Sequence, residues 1–273
     1  MAVVVDPISP VAFSVAGFPV RWYAIAYIFA FISGYVLLWR MGRSPRAELS
    51  LSRRELDDLL TAVILGVIVG GRLGYVLFYN LPFFLAHPLE IFAVWHGGMS
   101  FHGGLIGVIV AAIIFAKKWR RALQVLDLIS IVAPIGFFFG RIANFINVEI
   151  MGRPTDSAWA VYFNGVSDVP RYPSPLFEAA TEGVLLFAIM CCLYRFTNLR
   201  KYPGALCGAM AMFYAVFRVI CEFFRAPDAQ IGFLTSWGLT MGQLLSGILF
   251  IAGAAFFTIA LRHVFYHRIA PQR

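Results

Sequence analysis

Apolar residues along this chain do not alternate with polar ones; they gather into seven long runs. The runs cover about 20–39, 59–79, 101–116, 125–145, 176–196, 204–224 and 239–261. Most approach the roughly 20 residues that carry an α-helix across the hydrocarbon of a bilayer. A backbone in lipid must satisfy its own N–H and C=O groups, so runs of this length predict helices. The pattern predicts an all-α polytopic membrane protein of about seven transmembrane helices, with 1–273 forming a single transmembrane domain.

The connections between the runs carry an uneven charge. One side holds Arg40, Arg43, Arg46, Arg53, Arg54, Lys117, Lys118, Arg120, Arg121, Arg195, Arg200, Lys201, Arg262, Arg268 and Arg273. The other holds Arg21, Arg153, Arg171 and Arg225. Lysine and arginine accumulate on the cytoplasmic side of membrane proteins. The imbalance predicts an outside N-terminus, a cytoplasmic C-terminus and therefore an odd number of spans. The connection 150–172 is the longest on the outer side and contains Pro154 and Pro170, with Pro173 just beyond. It is expected to form a small extracytoplasmic segment between spans four and five. The apolar, aromatic stretch 81–98 before the short third run is expected to lie in the interface or to re-enter the bilayer.

Glycines recur at four-residue spacing at Gly66, Gly70 and Gly74, at Gly103 and Gly107, and at Gly136 and Gly140. Small residues at that spacing let membrane helices approach closely. A compact bundle is expected.

Composition narrows the class. The chain is 60% hydrophobic and only 13% charged, against about 25% charged in soluble domains. Its net charge of +8 is explained by the cytoplasmic bias and by anionic lipid, not by nucleic acid. The first twenty residues lack a basic start and contain Asp6, Pro7, Pro10 and Pro19, so no cleavable signal peptide is expected. Cys191, Cys192, Cys207 and Cys221 sit in apolar runs without metal-ligand spacing and read as small buried hydrophobes. The zinc-protease, Cys-x-x-Cys, Asp-rich and P-loop patterns are all absent, and Asp57 and Asp58 are adjacent and cytoplasmic. Metal-dependent phosphotransfer is therefore disfavoured, and no metal is expected.

Charges at membrane depth carry the remaining information. Each costs on the order of 3 kcal/mol or more in lipid, so it faces a cavity or a partner. The outer halves of the spans hold Arg72, Arg141 with Asn144 one turn on, Glu178 with Glu182, and the stripe Arg218, Glu222 and Arg225. Asn147 and Glu149 follow at the mouth of span four. Ion pairing is one reading: Arg218 with Glu222, and Arg72 with Glu178 or Glu182. It leaves Arg141 and Arg225 without an evident dedicated carboxylate. A lipid phosphate supplies the missing anion, and the guanidinium fork suits it. His102, in Met99-Ser100-Phe101-His102-Gly103-Gly104, is open to two readings, an interfacial hydrogen bonder or a general base. Tyr23 and Tyr27 fit an aromatic belt, with Tyr23 expected to face inward.

Gly140-Arg141-Ile142-Ala143-Asn144-Phe145-Ile146-Asn147-Val148-Glu149, followed by Gly152, resembles the signature G-R-x-x-N-F-x-N-x-E-x-x-G of the bacterial prolipoprotein diacylglyceryl transferase family. Supporting matches are Arg21-Trp22-Tyr23, Gly70-Gly71-Arg72-Leu73-Gly74-Tyr75, the His102 segment, and Glu222-Phe223-Phe224-Arg225-Ala226-Pro227-Asp228-Ala229-Gln230. They run from span one to span six in the family's order. One segment departs. Where the family often has Arg-His-Pro-Ser-Gln-Leu-Tyr-Glu, this chain reads Arg171-Tyr172-Pro173-Ser174-Pro175-Leu176-Phe177-Glu178. Tyr172, Pro175 and Phe177 are therefore given no polar role. Ser174 is expected to cap the fifth span with Pro175 at its first position.

The resemblance implies an enzyme of the bacterial inner membrane that moves the diacylglyceryl group of phosphatidylglycerol to the thiol of a prolipoprotein's lipobox cysteine. It implies a thioether and glycerol phosphate as products, no cofactor, and membrane lipid and the prolipoprotein signal peptide as partners. It marks Arg141, Arg225 and His102 as catalytic. It marks Arg141, Tyr23, Arg72, Asn144, Glu149, Gly152 and Glu222 as the phosphatidylglycerol site.

Overall fold

The computed structural model describes residues 2–227, 232–236 and 238–269, with side chains described as far as 262. Arg273 and the Asp228, Ala229 and Gln230 of the last matching segment lie outside the described residues. In chain order the elements are strands β1 (Val3–Val5), β2 (Val11–Val15) and β3 (Phe18–Arg21), then helices α1 (Trp22–Gly42), α2 (Arg53–Phe78), α3 (Leu81–Ala86), α4 (Phe101–Ala116) and α5 (Trp119–Ile146). Strand β4 (Val161–Phe163) follows, and then α6 (Ser174–Glu178), α7 (Leu186–Phe196), α8 (Ala205–Glu222) and α9 (Met241–Ile269). A π-helical stretch, Ala179–Leu185, joins α6 to α7, so Ser174–Phe196 runs as one continuous span.

Among the described residues six helices are long and apolar enough to cross a membrane: Trp22–Gly42, Arg53–Phe78, Trp119–Ile146, Ser174–Phe196, Ala205–Glu222 and Met241–Arg262. The third run of the sequence forms α4, which is apolar but only 16 residues long. The protein is a mostly helical, multi-pass membrane protein. Its chain divides into two compact units, one of residues 37–126 and one of residues 1–36 with 127–273.

In the 37–126 unit, α2 starts at a capping box in which Ser52 and Glu55 bond each other's backbone N–H groups. This satisfies donors that a helix start leaves unpaired. Glycine then governs its packing. A Cβ on Gly70 would lie 2.8 Å from the Gly107 Cα, and one on Gly74 would lie 2.7 Å from the Gly103 Cα. The backbones of α2 and α4 thus touch directly, as the glycine spacing predicted. Gly136 and Gly140 share the spacing but not the contact. The nearest atom to a Cβ on Gly136 is 3.9 Å away, and Gly140 has nothing within 4 Å. The stretch 81–98 is not extended loop: it holds α3 and the short 3-10 turns Pro88–Phe92 and Val94–His96. Leu85, Leu89, Phe92 and Trp95 stand exposed along it, which suits an interface.

The larger unit contains short strands that the run pattern did not predict. β2 and β3 form an antiparallel hairpin whose turn residues Ala16 and Gly17 both have positive φ, as a twist-matched two-residue turn requires. β3 leads directly into α1. β1 pairs in parallel with β4, tying residues near the N-terminus to the segment between α5 and α6. α8 packs along α9, where a Cβ on Gly208 would lie 2.8 Å from the Phe257 nitrogen. The start of α8 is held by Asp127 of α5. Its carboxylate accepts from the N–H of Gly204 at 2.7 Å and of Cys207 at 2.8 Å.

The expected cap of the Ser174–Phe196 helix is corrected. Ser174 lies inside α6, with Pro173 at the N-cap. The Ser174 hydroxyl donates outward to the Ile150 carbonyl at 2.7 Å, so it fastens the preceding loop instead of the helix start. Tyr172, Phe177 and Phe224 form an aromatic cluster with ring centroids 5.3–6.2 Å apart, which accounts for apolar residues at those positions.

Gly70→Val is expected to prevent normal association of α2 with α4, because its side chain has only backbone to displace. Gly247→Ala, at a position with nothing within 4 Å, is expected to be neutral or to stabilise by up to about 1 kcal/mol through helix propensity. Thermal unfolding of the purified proteins in detergent checks both. An unchanged midpoint for Gly70→Val contradicts the close packing.

Candidate active site

Three arginines and three glutamates meet where α5, the α6–π segment and the end of α8 approach one another. Glu178 is fully buried and contacts all three guanidiniums. Its Oε2 lies 2.8 Å from Arg141 Nε, and its Oε1 lies 2.6 Å from Arg218 Nη1 and 3.3 Å from Arg225 Nη1. Glu182, also fully buried, is held more loosely: Arg141 Nη2 is 3.3 Å away and Arg218 Nη1 3.6 Å away. Glu222 pairs closely with Arg218, accepts from the Thr240 hydroxyl at 2.8 Å, and lies 3.8 Å from Arg225 Nε. A small crevice reaches this cluster between Arg218, Glu222, Arg225, Thr240 and Met241.

Local sequence explains the convergence. Arg218 and Glu222 are four residues apart on α8 and so share a face. Glu178 and Glu182 are also four apart, but Glu182 lies in the π stretch. Such wider turns are frequent at functional sites because they re-aim side chains.

A second polar group stands at the end of α5. Glu149 Oε2 accepts from the Tyr23 hydroxyl at 2.5 Å and from Asn144 Nδ2 at 3.3 Å. Asn144 also donates to the Tyr23 oxygen, and Asn147 Nδ2 reaches Glu149 Oε1 at 3.5 Å. Tyr23 therefore faces inward, as expected. Glu149 sits between Val148 and Ile150, whose φ values are 56° and 58°. Both are β-branched, and such residues in left-handed backbone store on the order of 1–3 kcal/mol each. The turn that presents Glu149 is held against local preference.

The loop after this turn grips the end of α8. Gly152 forms an antiparallel bridge with Arg225, and a Cβ there would meet the Tyr172 oxygen at 2.6 Å. Only glycine fits. Arg153 donates from Nε to the Arg225 carbonyl at 3.0 Å and from Nη2 to the Glu222 carbonyl at 3.3 Å. A cation here satisfies carbonyls that a helix end leaves unpaired.

The larger unit thus brings together Tyr23, Arg141, Asn144, Glu149, Gly152, Glu222 and Arg225. Arg72 and His102 belong to the other unit. Arg72 is 5% exposed. It donates to the carbonyls of Ile91 at 2.9 Å, Glu90 at 2.5 Å, Ala93 and Gly98 at 3.2 Å, and Gly97. The alternative pairing of Arg72 with Glu178 or Glu182 is therefore corrected: its guanidinium folds the 81–98 segment around itself. His102 is exposed on the first turn of α4.

A second correction concerns Arg141 and Arg225. Both do have carboxylate partners, since Glu178 serves each of them. Reading the sequence for pairs missed this because one carboxylate is shared by three cations. In the sequence Arg153 stands only as a loop charge, and nothing marks Thr240. The spacing of Gly152 and Arg153 before the Pro-rich loop carried no signal for a contact with residues some 70 positions later.

The prolipoprotein diacylglyceryl transferase family model matches residues 10–259. Relatives named phosphatidylglycerol–prolipoprotein diacylglyceryl transferase are similar over nearly the whole chain. One from Rhodospirillum rubrum is 49% identical over 257 residues, 93% of each chain. One from Methylocella silvestris is 49% identical over 93% of this chain and 94% of the relative. One from Azospirillum brasilense is 50% identical over 90% of this chain and 92% of the relative.

Arg218 touches all three buried carboxylates, so its loss leaves the most uncompensated charge. Arg218→Met is expected to destabilise by about 3–5 kcal/mol, the range for breaking a buried ion pair by removing one partner. It should exceed the effect of Arg225→Met. Thermal unfolding in detergent checks the order, and a reversed order removes Arg218 from the centre of the network.

Proposed function

The chain belongs to the prolipoprotein diacylglyceryl transferase family, and from that premise we propose that it transfers the diacylglyceryl group of phosphatidylglycerol to the thiol of a prolipoprotein's lipobox cysteine. The supporting observation is the meeting of Arg141 and Arg225 on one buried carboxylate beside a crevice, in segments that match the family's motifs. Two guanidiniums fixed so close together form a ready two-sided receptor for a phosphate.

The chemistry assigns the parts. The cysteine thiol loses its proton, and the thiolate attacks the glycerol carbon of the diacylglyceryl group. The carbon–oxygen bond breaks, a thioether forms, and glycerol phosphate departs with the bonding electrons on its oxygen. The reaction so written needs no cofactor. Charge grows on the phosphate as the bond breaks, and preorganised donors aimed at that charge are the strongest lever available. Arg141 and Arg225 supply them, and Glu222 sets the angle of Arg225. Tyr23, Asn144 and Glu149 orient the headgroup at the mouth of α5, and Gly152 lets the loop close on Arg225. His102 is assigned to assist thiol deprotonation, and Arg72 to shape the 81–98 segment that borders the lipid.

The same reading gives the membrane arrangement. The chain is a single transmembrane domain, 1–273, of the bacterial inner membrane, with α4 as its third span despite its length, which brings the count to seven. The N-terminus is outside, the C-terminus is cytoplasmic, and 150–172 is a small extracytoplasmic subdomain. The substrates are phosphatidylglycerol and the signal peptide of a prolipoprotein, both entering from the lipid.

Release of glycerol phosphate by purified variants across a lipid titration tests the clamp. Arg141→Lys and Arg225→Lys keep the charge but lose the planar fork. Each is expected to lose on the order of 10²-fold in maximal rate without rescue by excess lipid, because the lost interaction strengthens in the transition state. Near-normal maximal rates in both refute the phosphate role. In the same assay His102→Gln separates the two readings of that residue. A loss of roughly 10²-fold marks a general base, and retention of most activity marks an interfacial hydrogen bonder.

A reporter fused after Arg273 tests the arrangement. It is expected to be active only in a form that works in the cytoplasm. An extracytoplasmic signal overturns the odd number of spans.

A further inference from the structure

The buried charges pose a problem for phosphate binding. Arg141, Arg218 and Arg225 are matched by Glu178, Glu182 and Glu222, so among the described residues this cluster carries no surplus positive charge. Outside it, Arg153 and Arg171 lie on backbone carbonyls and Glu149 lies beside Tyr23, so the balance within the cluster itself sets the cost of an added anion. A phosphodiester adds one negative charge on binding, and the departing phosphate monoester carries a second. Adding anions to a neutral buried cluster is strongly opposed at low dielectric.

The three carboxylates are not equally held. Glu178 has contacts at 2.6, 2.8 and 3.3 Å. Glu222 has its close pair with Arg218 and the Thr240 hydroxyl. Glu182 has only contacts of 3.3 and 3.6 Å. Glu178 Oε2 and Glu182 Oε1 are both buried without a well-directed hydrogen bond, but Glu178 Oε2 keeps Arg141 Nε at 2.8 Å, whereas Glu182 Oε1 has Arg218 Nη1 only at 3.6 Å. The groups that face it are Arg141 from α5, Tyr214, Arg218 and Cys221 from α8, and Glu178 one turn before it on its own helix. It is the carboxylate whose charge the site stabilises least. A neighbouring carboxylate, Glu178, adds repulsion. An open acceptor oxygen is where a proton would sit.

We propose that phosphatidylglycerol binding is coupled to proton uptake at Glu182. This rests on the phosphate role of Arg141 and deepens it. Protonation removes one negative charge as the phosphate adds one, and the cluster stays balanced. It also releases Arg141 Nη2 from its ion pair with Glu182 while Glu178 keeps Nε in place, so one edge of the guanidinium turns to the lipid without losing its anchor. Glu182 does not touch the reacting atoms. It is a positioning residue that makes Arg141 available, and the proton returns to solvent when glycerol phosphate leaves. The phosphodiester of the lipid stays singly charged at neutral pH, so a pH-dependent affinity belongs to the protein.

The sign follows from the linkage. A group that gains a proton on binding makes affinity rise as pH falls, by up to about tenfold per pH unit where one proton is taken up. The test is calorimetric titration of the intact protein with short-chain phosphatidylglycerol in a neutral detergent. Runs at pH 6 to 9 in buffers of different ionisation enthalpy read the protons taken up. Wild type is expected to take up close to one proton per lipid somewhere in that range, with affinity falling toward high pH. Glu182→Gln is expected to bind with no proton uptake and with an affinity that no longer varies with pH. Lipid binding by wild type without proton uptake overturns the proposal whatever the variants do, and so does uptake that survives in Glu182→Gln. Arg141→Lys provides the separate arm. If it binds phosphatidylglycerol as wild type does, the phosphate role of Arg141 fails, and that failure is distinct from an absent proton.

Discussion

One carboxylate, Glu178, determines how the charged interior of this protein is arranged. It has no exposed surface, and its two oxygens contact arginines from α5, from α8 and from just beyond α8. An unpaired charge at that depth is costly. A unit charge pair at 4 Å recovers about 4 kcal/mol at an effective dielectric of 20, so one partner offsets much of the burial and three partners fix position as well. The geometry is over-determined. Moving any of the three helical segments would break a contact that the others still require.

The remaining supports act on that network from outside. Asp127 holds the start of α8, and Arg153 with Gly152 holds its end. The glycine faces of α8 and α9 leave no room for sliding. Glu149 is presented by a turn with two β-branched residues in left-handed backbone, and only surrounding contacts make that turn tolerable. Such rigidity matters for a reaction in which charge develops late. Donors that must rearrange as the charge appears lose part of their advantage, and donors already in place do not.

The spans were legible in the sequence because lipid imposes a simple rule. A helix must be apolar for its whole crossing, so each run marks a helix; α2, α5 and α9 continue past their runs, and α4 has the bounds of its run. Of the residues in the matching motifs, Tyr23, Arg141, Asn144, Glu149, Gly152, Glu222 and Arg225 lie in one unit, and Arg72 and His102 lie in the other. The short strands were not legible. β1 and β4 are three residues each and pair across more than 150 positions, so no local period announces them. Nor were partners legible. A residue type shows what a side chain is able to bond, and the fold decides which acceptor it meets. Ser174 has the chemistry of a helix cap, yet it donates to Ile150.

Arginine shows this most clearly. Arg72 and Arg153 look in sequence much like Arg141 and Arg225, each standing next to a glycine or in a matching segment. Arg72 and Arg153 spend their donors on backbone carbonyls, while Arg141 and Arg225 meet carboxylates. A carbonyl is a fixed dipole that belongs to the backbone, so an arginine bound to it shapes a loop and is not readily released. A carboxylate partner is a charge that can be screened, protonated or outcompeted by another anion. The arginines held by carboxylates are therefore the exchangeable ones. Within the larger unit, Arg153, bound to carbonyls, fastens the end of α8 beside the exchangeable Arg225.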